Sequence, residues 1–245
     1  MHHAFNLTLP ALAISICSLS FSQFVQAEKP PLSQNYQEPT RGFLIENGMV
    51  SGLGRVSAEL YAGSGNQSSG GGIRLGLPRA ELILNSRSNG NNQNDAVLKW
   101  KMPDYKPNNV TEHRVKWSAI AGISQFDQGS DDSLSFQFGA AASLEADAGL
   151  FTISPLIVHT DRNGADDTFF GLGLGAHVGV IDTMSGLFSL GAEAIITSQD
   201  DGDNMLALGV RWAYNARVNI DIIPVMLGDE DMTGIPGQVK LNIVF

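Results

Sequence analysis

The stretch LSFQFGAAASLE, at residues 134–145, places an apolar residue at every second position. Its even-numbered positions are apolar from Leu134 to Leu144, while its odd-numbered positions hold serine, glutamine, glycine, alanine and glutamate. Successive side chains of a β-strand point to opposite faces of the sheet. The period of two therefore predicts a strand with one apolar face and one polar or small face.

The same period governs most of the chain. The stretch FFGLGLGAHVGV at residues 169–180 repeats it, and so does the closing stretch QVKLNIVF at residues 238–245. No apolar stripe with a helical period persists, so we predict an all-β fold. About twelve strands are expected, with ten to fourteen compatible with the pattern, near residues 49–62, 71–77, 81–89, 96–103, 113–127, 133–146, 149–160, 167–182, 185–198, 204–214, 217–227 and 237–245.

Alternation alone does not say what the apolar face contacts. A soluble β-sandwich turns that face towards a core, whereas a transmembrane barrel turns it towards lipid. After residue 27, no apolar run approaches the roughly 20 residues that a transmembrane helix needs. A chain that spans a membrane with strands must close them into a barrel, because lipid cannot satisfy the hydrogen bonds of an open sheet edge.

The connections between the predicted strands alternate in length. One set is long, polar and often acidic, at residues 63–70, 89–95, 127–133, 161–166, 198–204 and 228–236. The other set is mostly short, at residues 78–80, 145–149, 181–185 and 214–216, with one longer member at residues 104–112. Outer-membrane barrels place long loops outside the cell and tight turns at the periplasm. The pattern therefore favours a closed antiparallel transmembrane β-barrel whose ends both lie at the periplasmic side.

This orientation sorts the aromatic residues into two groups, as expected for the two interfaces of a membrane. Near the outer rim lie Tyr61, Phe126, Phe136, Phe169 and Phe170. The periplasmic rim receives the predicted membrane-interface aromatics, which are Trp100, Trp117, Phe151, Phe188, Trp212, Tyr214 and Phe245. A terminal Phe245 after alternating apolar residues also resembles the C-terminal signal read by the outer-membrane assembly machinery, which is the expected assembly partner.

The N-terminal region has the composition of a signal peptide. Residues 7–24 are largely apolar, and Val25-Gln26-Ala27 supplies small residues where a signal peptidase cleaves. We therefore predict a signal peptide at residues 1–27, cleaved after Ala27, and export to the outer membrane. Residues 28–48 contain three prolines and little periodicity, and we interpret them as a flexible periplasmic arm. Residues 49–245 would form the barrel, and the sequence leaves open whether the arm fills it.

Charge and cysteine content exclude several classes of function. Cys17 is the only cysteine and lies in the predicted signal peptide, so the mature chain would offer no thiol for disulfides, zinc or nucleophilic catalysis. The net charge of −10 argues against nucleic acid, whose phosphates require a basic surface. We expect no cofactor and no bound metal. The expected surroundings are outer-membrane lipid and lipopolysaccharide.

Three short motifs resemble functional sites but fit them poorly. The glycines of GLGLG at residues 171–175 lie along one strand, whereas a nucleotide loop needs a strand, a turn and a helix. We expect these glycines to relieve crowding on the inner face or to allow bending. The stretch DDGDN at residues 200–204 lacks the glutamate of a calcium loop, because Arg211 stands at its twelfth position. His113, His159 and His177 are scattered, and no nucleophile elbow is present, so we do not expect an enzyme.

The predicted register points fourteen charged side chains into the barrel, nine of them basic and five acidic. They are Arg55, Glu59, Arg74, Glu81, Arg87, Lys99, Lys101, Lys116, Glu145, Glu193, Arg211, Arg217, Asp221 and Lys240. The mean charge of the interior is therefore expected to be positive. These groups either pair across the lumen into a structural network that blocks conduction, or line a narrow wet path that prefers anionic or polar solutes.

Several short stretches are similar to those of a known family. They are GIRLGL at residues 72–77, AEL at 80–82, LKWK at 98–101, GAE at 191–193, NID at 219–221 and the closing run to Phe245. Together they resemble the outer-membrane transporters grouped under the meta-pathway of phenol degradation. The resemblance implies a barrel of about this size and a transport role, and it identifies no substrate.

The expected function is accordingly an outer-membrane channel or transporter for a small solute of unknown identity. One alternative is a non-conducting barrel whose acidic outer loops act as a structural or contact surface. Another is an outer-membrane lipid hydrolase, because serine and histidine on a barrel wall meet in space rather than in sequence.

Overall fold

The computed structural model describes residues 41–63, 69–88, 92–105, 114–127, 132–146, 149–162, 165–183, 186–198, 204–215, 217–228 and 237–245. These residues form twelve β-strands. They are β1 (Val56–Gly63), β2 (Ser69–Leu77), β3 (Ala80–Ser88), β4 (Asn92–Lys101), β5 (Arg114–Asp127), β6 (Asp132–Ala146), β7 (Gly149–Arg162), β8 (Ala165–Thr183), β9 (Gly186–Thr197), β10 (Met205–Ala213), β11 (Val218–Leu227) and β12 (Gln238–Val244).

Every strand pairs antiparallel with its neighbours in sequence, and β1 pairs with β12 to close the sheet. The amide of Phe245 donates to the carbonyl oxygen of Val56 at 2.8 Å and extends this closing ladder by one bond. The predicted all-β closed antiparallel barrel is therefore confirmed. Within the described residues, no helix is long and apolar enough to cross a membrane. The predicted signal peptide lies outside the described residues.

The strand boundaries agree with the sequence pattern to within a few residues except at the first strand. We predicted its start at residue 49, but β1 begins at Val56. The intervening chain turns before joining the wall, with the Arg55 amide donating to the Gly52 carbonyl oxygen at 3.1 Å. Gly54 has a φ of 75°, in the left-handed region that glycine adopts without strain. The prediction was wrong here because the apolar side chain of Met49 is buried inside the barrel and does not belong to a strand of the wall.

The outward face of the sheet is apolar around the barrel. Leu60 is 61% exposed and Phe138 57%, and side chains such as Ile73, Phe170 and Leu190 are about half exposed. Soluble monomers rarely expose a continuous apolar surface larger than a few hundred Å². The inward face instead carries most of the buried polar and charged side chains. This arrangement is that of a transmembrane barrel and the inverse of a soluble sandwich.

The expected contrast between long outer loops and short turns is weaker than predicted. The strands extend into several of the expected loops, so that β4 begins at Asn92 and β7 ends at Arg162. The connections there span only residues 89–91 and 163–164, whereas one at the other end spans residues 102–113. Loop length is therefore a weaker indication of orientation than the sequence pattern suggested.

The seven predicted interface aromatics lie at one end of the barrel on outward-facing positions. Phe188 and Trp212 are cross-strand neighbours with stacked rings 6.0 Å apart. Trp212 meets Tyr214 edge to face at 5.9 Å, and the Trp117 indole donates to the Pro103 carbonyl oxygen at 2.8 Å. Their position at a membrane interface stays a prediction.

Three of the aromatics expected at the opposite rim belong to the inner face. By cross-strand register, Tyr61, Phe126 and Phe169 lie on the same side of the sheet as the buried charges. Position along a strand does not by itself say which face a residue occupies.

Candidate functional site

Residues 41–49 lie inside the barrel, and we refer to them as the inner segment. The segment turns on itself, with Gly42 donating to the carbonyl oxygen of Ile45 at 2.8 Å. Phe43 is 0% exposed and Asn47 2%, and Ile45 and Met49 are buried as well. The part of the expected periplasmic arm that the structure describes is therefore enclosed by the wall rather than free. Residues 28–40 lie outside the described residues, and the domain boundaries stay predictions.

The backbone of the inner segment is held by a carboxylate of strand β9. Glu193 accepts hydrogen bonds from the amides of Phe43 at 2.6 Å, Leu44 at 2.6 Å and Ile45 at 3.0 Å. His177 on the neighbouring strand β8 hydrogen bonds to the same carboxylate through Nε2. Hydrogen bonds to an ionised acceptor are stronger than those between neutral groups. One wall residue thus fixes three consecutive residues of the segment.

A second wall strand holds the opposite side of the segment backbone. The Lys240 ammonium, on β12, donates to the carbonyl oxygen of Phe43. Further along the segment, the Gly48 amide donates to the Ser143 hydroxyl at 2.8 Å. The segment therefore spans the interior from β9 and β12 to β6.

The Phe43 ring fills a pocket that the wall leaves open. It packs against Ala207, Ile223 and Met226 and meets the His177 ring edge-on at 4.6 Å. The Arg211 guanidinium lies 5.5 Å from the ring centroid, within cation–π range.

Glycines on the wall make room for the segment. A Cβ at Gly191 would lie 2.5 Å from Phe43 Cε2, and a Cβ at Gly173 would lie 2.7 Å from Ile45 Cγ2. Gly209 and Gly175 face the same two side chains at 3.0 Å. Gly173 and Gly175 of β8 therefore leave the space on the inner face that Ile45 occupies, which is one of the two roles that the sequence pattern indicated.

Glu46 binds two cations of the wall. Arg74 on β2 donates to both of its oxygens, at 2.7 and 3.1 Å, and the Lys99 ammonium on β4 lies at 3.2 Å. Burial alone would raise the pKa of Glu46, but the positive charges of Arg74 and Lys99 outweigh it and hold the pKa well below its usual range. Glu46 is therefore ionised at neutral pH.

Two further contacts attach the ends of this region to the wall. Arg41 forms an ion pair with Glu59 on β1 at 2.7 Å. Ser51, just beyond the segment, donates to Glu81 on β3 at 2.7 Å. Ion pairs of both senses therefore join the segment to the wall. Arg74 of the wall pairs with the acidic Glu46 of the segment, and Glu59 of the wall pairs with the basic Arg41.

The buried charges of the wall alternate in sign from strand to strand. Each of eight neighbouring strands, in the order β9, β10, β11, β12, β1, β2, β3 and β4, carries one of them. In that order the residues are Glu193, Arg211, Asp221, Lys240, Glu59, Arg74, Glu81 and Lys99. Arg211 and Asp221 form a two-pronged pair at 2.6 and 2.9 Å. These eight residues comprise four of each sign, so the expected positive excess is not found in the buried part of the interior.

The other six predicted lumen residues lie nearer the ends of the barrel. Lys116 pairs with Glu145 at 2.9 Å, Arg87 with Asp95 at 3.9 Å and Lys101 with Asp104 at 3.8 Å. Arg55 and Arg217 directly precede β1 and β11. Whether any of the fourteen contacts a solute stays a prediction.

Sequence reasoning missed the residues of the inner segment. One signal was present, because Phe43-Leu44-Ile45 is an apolar run between Arg41 and Glu46 in a region that is otherwise polar and rich in proline. Phe, Leu and Ile are among the residues most often buried in proteins, so three of them in succession indicate burial rather than an arm exposed to water.

The two histidines of the sequence motifs that the structure describes contact neighbouring wall residues. Among the described residues, no group of three or more His, Cys, Asp or Glu side chains is placed to hold a metal ion. His159 hydrogen bonds to Thr168 at 2.8 Å, His177 contacts Glu193, and His113 lies outside the described residues.

Comparisons with known proteins yield structural neighbours of low similarity. No family model matches the chain, and no curated protein matches it. A structure described as a KdgM porin in complex with disordered oligogalacturonate is 11% identical, with a TM-score of 0.42 over 78% of this chain and 96% of that chain. A bacterial polysaccharide outer membrane secretin is 9% identical, with a TM-score of 0.42 over 80% and 99%. The resemblance to transporters of the phenol pathway stays a hypothesis.

Proposed function

We propose that this protein is an outer-membrane channel for small solutes and that the inner segment closes it at rest. The observation that carries this proposal is that the interior is filled by a segment that is not part of the wall. Gly173, Gly175, Gly191 and Gly209 project no side chain where the segment lies. A barrel built to be sealed would fill this space with its own side chains. Withdrawal of the segment would leave a polar passage.

The attachment of the segment is compatible with reversible withdrawal. Its polar contacts go to charged or hydroxyl groups of the wall, and water can replace them when the segment withdraws, at about 1.5–3 kcal/mol for each hydrogen bond to a charged group. Its main apolar anchors are Phe43, Ile45 and Met49, each worth about 1.5–3 kcal/mol when fully buried. No segment residue pairs in the closed ladder of the barrel, so withdrawal would leave the wall intact.

Location in the outer membrane is part of the proposal. The closed sheet with an apolar outer face meets the requirement that all backbone polar groups be satisfied within lipid. The predicted signal peptide and the resemblance of the closing residues to an assembly signal support the same location.

A disulfide bond that tethers the segment to the wall tests the proposal. A Cβ at Gly173 would lie 3.3 Å from the Ile45 Cβ, close to the roughly 3.5–4.5 Å found in disulfides. The variant Ile45→Cys/Gly173→Cys, with Cys17→Ser, should form this bond under oxidation. In planar bilayers we expect the oxidised protein to stay closed and the reduced protein to open in discrete steps. The Ile45→Cys and Gly173→Cys single variants serve as controls that oxidation should not affect.

Two results would contradict the proposal. One is a failure of the disulfide to form in folded protein, which would mean that the segment does not occupy the wall at this point. The other is a sealed barrel in reduced and oxidised protein alike, under several salts and voltages.

The second result would favour a non-conducting structural barrel. One observation supports that candidate, namely the alternation of buried charges around β9–β12 and β1–β4. The two-pronged ion pair of Arg211 with Asp221 joins two neighbouring wall strands.

A further inference from the structure

We propose that Arg74 and Lys99 form a binding site for the carboxylate group of a solute, and that Glu46 occupies this site when the channel is closed. This inference rests on the proposed function and adds to it the chemical class of the solute. A carboxylate-bearing solute would compete with Glu46, loosen the segment and so open its own path.

The geometry at Glu46 is that of a bound carboxylate ligand. Arg74 and Lys99 are 6% and 0% exposed, and they converge from different strands on one carboxylate that does not belong to the wall. The guanidinium of Arg74 contacts both oxygens, which is the two-pronged arrangement that favours planar carboxylates. The wall therefore presents a preformed site that a free carboxylate can enter in the same way.

A comparison within the same wall supports this assignment. Arg211 has a two-pronged carboxylate partner on the adjacent strand, Asp221, at 2.6 and 2.9 Å. Arg74 has its two-pronged partner in the segment, whereas the wall carboxylate of Glu81 lies at 3.8 Å. The two-pronged carboxylate partner of Arg211 thus belongs to the wall, whereas that of Arg74 belongs to the segment.

The remaining charges suggest that binding is weak. When the segment withdraws, Glu81 and Glu59 stay in the wall near Arg74. They would moderate the attraction of Arg74 and Lys99 for an anion. Weak binding suits a channel, because a solute must leave the site as well as enter it.

The tether also measures occupancy of the site without requiring ion flow. The rate of disulfide formation in reduced Ile45→Cys/Gly173→Cys protein reports how often residue 45 lies beside residue 173. Succinate should slow this rate by about fivefold at four times the concentration that displaces half of the segment, because mass action then leaves one fifth of the segment in place. Succinamide, which has the same carbon skeleton without charge, should have no effect at equal ionic strength.

Substitutions in the same strand assign the effect to the site. Lys99→Gln should abolish the response to succinate, whereas Lys101→Gln, two residues along on the same inner face and 48% exposed, should retain it. Because Lys99 is buried, that variant can fail to fold. Glu46→Gln lies outside the strands and provides a second test, since succinate should then displace the segment at lower concentrations.

The outcomes separate the two proposals. Equal rates with succinate and succinamide, or a succinate response that survives Lys99→Gln, would overturn the carboxylate site. If succinate slows the disulfide in a barrel that never conducts, the site stands and the channel proposal fails. A barrel that conducts under control of the tether but ignores succinate would keep the channel and lose the site.

Discussion

Glu193 and Glu46 hold the inner segment from opposite directions. Glu193 belongs to the wall and receives amides of the segment, whereas Glu46 belongs to the segment and receives cations of the wall. Each carboxylate would be costly to bury without partners. Their contacts together favour one position of the segment, since displacement by one residue would separate Glu46 from Arg74 and Lys99 and bring different amides to Glu193.

The lowered pKa of Glu46 makes the attachment of the segment sensitive only to strong acid. A carboxyl whose pKa is depressed in the folded protein contributes stability above its ordinary pKa of 4.5, and this contribution is lost as the pH falls through the depressed value. We expect an Ile45→Cys thiol to stay protected from neutral pH down to about 4.5 and to become reactive only below it. An acid-tolerant reagent such as dithiodipyridine measures this.

Glu46→Gln in the same background supplies the comparison. Removal of one partner of a buried ion pair costs about 3–5 kcal/mol, so the thiol should react faster at neutral pH than it does in the parent protein. Exposure of the thiol in the parent protein between pH 7 and 5 would contradict the role given to Glu46. Glu81 and Arg41 also lie near this cluster. An equal acid response in Glu46→Gln would show that Glu46 is not the group that controls exposure of the thiol.

Strand β8 has an apolar outward face and an inward face that contains several glycines. Its outward positions are apolar, such as Leu172 and Leu174, while its inward positions include Gly171, Gly173 and Gly175. Glycine weakens a strand because it adds backbone entropy and removes cross-strand packing. Gly173 and Gly175 make the strand less stable, but they leave the space that the Ile45 side chain occupies.

Two substitutions on β8 test this division of roles. Gly173→Val places a branched side chain against Ile45 and should expel the segment, which raises open probability in planar bilayers. Gly171 lies two residues away on the same face, and no atom is closer than 3.9 Å to a Cβ placed there. Gly171→Val should therefore leave the open probability unchanged. Equal effects of the two variants would show that changes in the strand, rather than contact with the segment, control opening.

At the scale of the whole molecule, the barrel has an oriented aromatic belt. All three tryptophans of the sequence lie on its outer face at the end where β1 begins and β12 ends. Amphipathic aromatic rings favour the headgroup region of a bilayer. The belt therefore predicts that this end of the barrel lies at a membrane interface.

This arrangement predicts a depth for the tryptophans. In vesicles, lipids brominated close to the headgroup should quench the fluorescence of Trp100, Trp117 and Trp212 more strongly than lipids brominated at the end of the acyl chain. The reason is that all three rings lie at one rim and face outward. Stronger quenching by the deep bromines, or full access to aqueous acrylamide, would contradict a position at the membrane interface.

The barrel itself was predictable because its signal is local and repeated. A period of two in β6 and β12 shows which residues share a face, and closure follows from the need to satisfy every strand edge in lipid. The same register predicted that charges such as Arg74, Lys99 and Glu193 point inward. Each inference needed only neighbouring residues and one physical rule.

The inner segment could not be placed by such reasoning. Phe43 meets Glu193 across 150 residues of sequence, and Glu46 meets Lys99 across 53. A segment outside the strands has no period and no register, so nothing local relates its side chains to the wall. Its position follows from charges and glycines that twelve separate strands bring together, and this arrangement exists only once the barrel has closed.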